Sequence, residues 1–130
     1  MNYLLDTSAL LAGIWEDHQF HPDAMSWLKS KAIFVCPLSA LGFLRISTHP
    51  GGPFNASMSD ARKALETFID ERKAGFIPDD LPALDSSPDR SSQVTDAYLA
   101  DLAAAHAMRL ATLDGGIKHA AVEVIEVTAS

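Results

Sequence analysis

Three aspartates, Asp6, Asp96 and Asp114, stand at changes of structure, two of them after an apolar segment and one at the start of a helix. Asp6 closes the apolar run Tyr3-Leu4-Leu5, and Asp114 follows Leu110-Ala111-Thr112-Leu113 ahead of Gly115-Gly116. Asp96 comes just after Thr95, the expected cap of a helix, in the first turn of that helix. Each alone has a plain structural account, because acids suit helix N-termini and Asp-Gly is a common turn dipeptide. Placed together they describe chemistry. Clustered carboxylates repel one another unless a cation or proton intervenes, and an all-oxygen ligand set with open water positions suits Mg²⁺, with Mn²⁺ as the second choice. Such an ion polarises a phosphodiester and acidifies a water, so phosphoryl hydrolysis is the reaction class. Asp101 lies five residues beyond Asp96, about 140° further round a helix, and so falls outside the ligand set.

These acids need a frame that brings them together. Strands are expected at Tyr3–Leu5, Ile33–Cys36, Leu110–Leu113 and Val122–Val127, with a brief extended run at Phe76–Pro78. Helices are expected through Ala9–Ala12, from Pro22-Asp23 to about Lys29, and from Pro37 or Ser39 to about Ser47. A long helix capped by Ser59-Asp60 should bury Ala61, Leu65, Phe68 and Ile69 and end at Gly75, and a last one capped by Thr95 carries Leu99, Leu102 and Ala103. His49–Pro53 and the proline- and aspartate-rich stretch up to Ser92 read as loops. Strands alternating with helices predict a three-layer α/β fold: a central, mainly parallel sheet with right-handed crossovers and helices on both faces. In such a sheet, sites form outside the carboxyl ends of the strands, where Asp6 and Asp114 fall.

The chain has 130 residues, 48% of them hydrophobic and 21% charged, so one globular domain spanning residues 1–130 is expected. Ten Lys plus Arg against 17 Asp plus Glu give a net charge of −7, which excludes global electrostatic attraction to nucleic acid or an anionic membrane. A nucleic-acid partner must be held locally. The one cysteine, Cys36, lies in an apolar run and suits a reducing compartment, and the N-terminus lacks the pattern of a secretory signal. The expected location is the cytoplasm. The five histidines show no metal-ligand spacing, and no Gly-x-Ser-x-Gly or Gly-x-Gly-x-x-Gly motif supports a serine hydrolase or a dinucleotide fold. Asp6 after a first strand also resembles the nucleophile of haloacid-dehalogenase-type phosphatases, but that family carries a second acid two residues on, where Ser8 stands.

Leu4-Leu5-Asp6-Thr7-Ser8-Ala9-Leu10 resembles the opening motif of PIN-domain ribonucleases. Val94-Thr95-Asp96-Ala97-Tyr98-Leu99 resembles their third acidic motif, and Ala111-Thr112-Leu113-Asp114-Gly115-Gly116 the fourth. Pro37-Leu38-Ser39-Ala40-Leu41-Gly42-Phe43-Leu44-Arg45 is similar to the second motif except at Ala40, where the family carries a glutamate. Order, spacing and length resemble a VapC-type toxin of a bacterial toxin–antitoxin pair over essentially the whole chain. The resemblance implies a PIN-like fold in which Asp6, Asp96 and Asp114 hold Mg²⁺ for hydrolysis of RNA, with tRNA the expected substrate. It makes the hydroxyls of Thr7, Ser8 and Thr112 candidates for orienting the carboxylates, and Arg45 a candidate contact to RNA or antitoxin. It further implies a VapB-type antitoxin, operator DNA reached only through that antitoxin, a homodimer, and no membrane. Ala40 removes one charge and one acceptor from the site, so this chain is expected to be weakened or inactive. The competing class is a PIN-like binding module that engages the antitoxin without cleaving.

Overall fold

Alternation along the first strand decides how the chain layers. In the computed structural model, which describes residues 1–86, 88 and 90–128, β1 (Asn2–Leu5) points Tyr3 and Leu5 into one apolar core and Leu4 into another. A strand apolar on both faces belongs at the centre of a parallel sheet. β1 pairs with β2 (Ala32–Val35) on one side and β4 (Arg109–Thr112) on the other. The edges are β3 (Gly75–Phe76) and β5 (Val122–Val124), giving the order β3-β2-β1-β4-β5 with every pairing parallel.

One face of the sheet is covered by α1 (Thr7–Ile14), α2 (His21–Leu28), α3 (Pro37–Thr48) and α4 (Met58–Arg72). Leu10, Leu28, Phe43 and Phe68 are their main contributions to that core. The other face is covered by α5 (Val94–Ala105), through Leu99, Ala100, Leu102 and Ala103. The expected three-layer fold is present, with a sheet that is wholly rather than mainly parallel. Among the described residues no helix is long and apolar enough to cross a membrane.

Several element ends differ from the sequence expectation. Ser57, not Ser59-Asp60, caps α4, its hydroxyl accepting from the Asp60 N–H at 3.0 Å. The helix ends at Arg72 because Lys73 turns left-handed (φ 52°), which lets the Ala74 N–H reach the Ile69 carbonyl. Gly75 is then free to open β3, where a Cβ would strike the Phe34 ring. Thr95 lies inside α5 rather than at its cap, since a short 3₁₀ turn at Ser91–Gln93 feeds directly into Val94. Cys36 leaves β2 to cap α3, where it and Ser39 form a reciprocal capping box. β5 stops at Val124, short of Val127.

Candidate active site at the carboxyl edge of the sheet

Asp6 is fixed by its place between β1 and α1. Its N–H donates to the Ala111 carbonyl of the neighbouring strand (3.1 Å), and its carboxylate caps α1 by accepting from the Ala9 N–H at 2.8 Å. The Ser8 hydroxyl donates to the same oxygen at 2.7 Å and accepts from the Leu113 N–H at 3.0 Å. Ser8 Oγ is 3.3 Å from the buried Thr112 Oγ1, which accepts from the Asp114 N–H at 3.0 Å. Two hydroxyls thus join the carboxylate after β1 to the turn after β4. That turn is tightened by the Gly116 N–H, which donates to the Asp114 carboxylate at 2.8 Å.

The three aspartates form a stair from core to solvent: Asp6 is buried, Asp96 half-buried and Asp114 exposed. Asp6 is only 3% exposed. Burial raises its pKa, hydrogen bonds from Thr112, Ala9 and Ser8 act against that, and the charge of Asp96 raises it again. Burial also raises the pKa of Asp96, with the charge of Asp114 adding to it. The acids therefore communicate pairwise, Asp6 with Asp96 and Asp96 with Asp114. Among the described residues they are not drawn into a ready-made set of three ligands. The leading influences on the buried Asp6 include no cationic side chain, only neutral donors and another acid.

The other expected site residues divide. Ser8 and Thr112 are brought to Asp6, whereas Thr7 turns away and donates to the Ser39 carbonyl at 3.2 Å. Successive helical residues point about 100° apart, so Thr7 and Ser8 cannot both face β4. Thr7 instead pins α1 to the first turn of α3, which carries Ala40. Ala40 is half-buried beside Pro37, Phe76 and Ile77. Arg45 is exposed in the last turn of α3.

Two links escaped the sequence reading. Gln93 Nε2 donates to the Gly116 carbonyl (3.5 Å), tying the approach to Asp96 to the Asp114 turn. Asp101 faces away from the acid stair, as its helical angle requires, and takes hydrogen bonds from Ser86 Oγ (2.9 Å) and His119 Nε2 (2.7 Å). The Ala121 N–H donates to His119 Nδ1 (3.0 Å), which leaves Nε2 to carry the proton. A pattern of spacing gives no signal for such long-range pairs.

The arrangement is a buried carboxylate after the first strand, a second acid in the first turn of a helix and a third in the turn after a neighbouring strand. The PIN domain family matches residues 3–123, and the chain belongs to that family. It is similar to the ribonuclease VapC38 of Mycobacterium tuberculosis, 35% identical over 121 residues that cover 88% of this chain and 86% of the relative. Ribonuclease VapC44 of the same organism is 35% identical over 131 residues (94% and 92%), and ribonuclease VapC29 is 32% identical over 124 (92% and 90%). The family is thus the VapC type of PIN domain.

Proposed function

We propose that this protein is a divalent-metal-dependent endoribonuclease toxin of a toxin–antitoxin pair, acting in the cytoplasm on tRNA. The observation that carries the reading is the buried Asp6, held by neutral hydroxyl and backbone donors and facing further negative charge. Asp6, Asp96 and Asp114 would hold Mg²⁺ or Mn²⁺, which supplies polarisation of the phosphodiester and acidification of water. Ser8 holds the Asp6 carboxylate in one orientation while its own oxygen is locked by the Leu113 N–H. Thr112 fixes the backbone from which Asp114 projects. The burial of Asp6 and Thr112 excludes water that would otherwise compete for these hydrogen bonds.

Ala40 contributes a methyl group where the motif resemblance implies a glutamate, so on this reading the acid set is one member short and activity is reduced. A VapB-type antitoxin, operator DNA bound through it, a homodimer, and contact of RNA or antitoxin with the exposed Arg45 complete the reading. Ala40 also favours the second reading, a module that binds the antitoxin and does not cleave.

Mg²⁺-dependent cleavage of total tRNA decides between them, run on this chain, on Ala40→Glu, and on Ala40→Glu combined with Asp6→Ala. The expected result is cleavage by Ala40→Glu, weak or no cleavage by the present chain, and none by the double variant. If no variant cuts while all three are folded and metal-saturated, the tRNA nuclease reading gives way to the binding module.

A further inference from the structure

Beside the acid stair, on the α3 side of α5, lies a groove of about 330 Å³. Its walls include Leu38 from the first turn of α3, Leu81 from the following loop, and Val94 and Tyr98 from α5. The Tyr98 hydroxyl donates to the Leu81 carbonyl at 2.8 Å, which holds the loop against the helix. Besides Tyr98, three polar side chains line it: the exposed Asp79 and Thr95, and Ser86, whose hydroxyl is engaged in donating to Asp101. The negative charge of Asp79 bears on both the Cys36 thiol and the Tyr98 phenol, which places it between the start of α3 and α5. Thr95 is the immediate neighbour of Asp96, so the groove and the acid stair share the first turn of α5.

The shape and chemistry select the occupant. The volume is at the small end for a ligand pocket, too little for a helix and suited to one flat ring. Among the described residues no cationic side chain lines the groove, and a carboxylate at its rim repels phosphate, so the backbone of an RNA is not what enters. A carboxylate only accepts hydrogen bonds. It therefore favours a base edge that presents adjacent N–H donors, and guanine presents two, at N1 and at the exocyclic amine, where uracil presents one. Apolar walls on either side of a base and one polar reader on its edge are the means by which proteins distinguish unstacked nucleotides.

We propose that this groove is a base subsite that receives a guanine of single-stranded RNA next to the cleaved phosphate, with Asp79 reading its N1–H and amino group. The inference rests on the ribonuclease reading above and specifies the substrate at that same site. Asp79 is a specificity residue and not part of the hydrolytic machinery. Thr95 offers a hydroxyl at the end of the groove nearest Asp96, and Leu38 and Val94 supply the apolar walls.

The test is equilibrium binding by fluorescence anisotropy of three labelled RNA pentamers, UUGUU, UUIUU with inosine at the centre, and UUUUU, in Ca²⁺ buffer. Inosine keeps the N1–H and lacks the amino group, so it removes one of the two hydrogen bonds. UUGUU should bind about tenfold more tightly than UUIUU, as expected for one hydrogen bond to a charged acceptor, with UUUUU weaker again. Asp79→Asn, an exposed isostere, should bind UUGUU and UUIUU equally. Equal binding of all three by the unaltered chain overturns the base subsite while leaving the ribonuclease reading in place. Absence of binding by any pentamer, together with no tRNA cleavage by Ala40→Glu, overturns both. If Val94→Glu converts a dimer to a monomer in light scattering and base discrimination is missing, the groove is a contact between copies and the proposal fails.

Discussion

At the scale of single residues, Asp6 is a charged group carried into the interior. An aspartate 3% exposed carries its charge into the core edge, where its hydrogen-bond donors among the described residues are neutral. Its pKa is raised in the folded state, first by burial. A raised carboxyl pKa means the folded protein binds a proton more tightly than the unfolded chain. The resulting stability is present below the ordinary aspartate value, about 4, and is lost as pH rises through the folded value. Asp6→Asn keeps an oxygen to accept from Ala9 and Ser8 but removes the charge. In metal-free buffer it should melt at a higher temperature than the unaltered chain at neutral pH, with the gap closing toward pH ~4. A melting series across that range checks it, and a variant that melts lower at pH 7 would contradict the sign. The positions of the acids were legible in the sequence, because Asp6 and Asp114 each follow an apolar run and Asp96 falls in the first turn of a helix. The division of labour between Thr7 and Ser8 was not, since it depends on which side of α1 faces β4.

Elements meet at this edge through a close approach that only glycine permits. Thr7 donates to the Ser39 carbonyl, and a Cβ at Gly42, one helical turn below, would land on the Thr7 hydroxyl. The first turns of α1 and α3 are thereby locked in one relative position, with Asp6 at the head of one and Ala40 in the other. Gly42→Ala should gain up to about 1 kcal/mol of helix propensity but lose about 1–3 kcal/mol to overpacking, a net loss in urea unfolding. Thr7→Ala clears the space, so the double variant should be more stable than the two single effects predict, by about 0.5–3 kcal/mol for residues in contact. Strict additivity would mean that the helices slide apart to accommodate the methyl. Periodicity made these helices legible from the sequence, since Leu65 and Phe68 of α4 fall on one face as their spacing requires. Their ends were less so. Ser57 and Ser59 are equally good caps locally, and the choice is made by where Ala61 must sit to be buried. Gly42 gives no local signal, because its partner is 35 positions away in the chain.

For the whole molecule, strand order decides what the acids can do together. From β1 the chain builds outward through β2 and β3, then returns to the other side of β1 for β4 and β5. Open parallel sheets hold their ligands at such a reversal, in the crevice beyond the carboxyl ends of the strands. Asp6 begins a helix packed on one face and Asp96 begins the helix packed on the other. A cation taken by both would therefore fasten the two helical layers to each other across the end of the sheet. Binding to the folded state alone raises stability by about 2.7 kcal/mol at a hundredfold excess over the Kd. Mg²⁺ should thus raise the melting temperature of this chain beyond the effect of NaCl at equal ionic strength. Asp6→Asn and Asp96→Asn should each abolish that gain, although they lie in different layers and one of them stabilises the metal-free protein. Calorimetric melting of the three proteins with and without Mg²⁺ is the measurement. Loss of the gain in Asp6→Asn alone would confine the ion to one layer, and its retention in both would remove the cation from this edge.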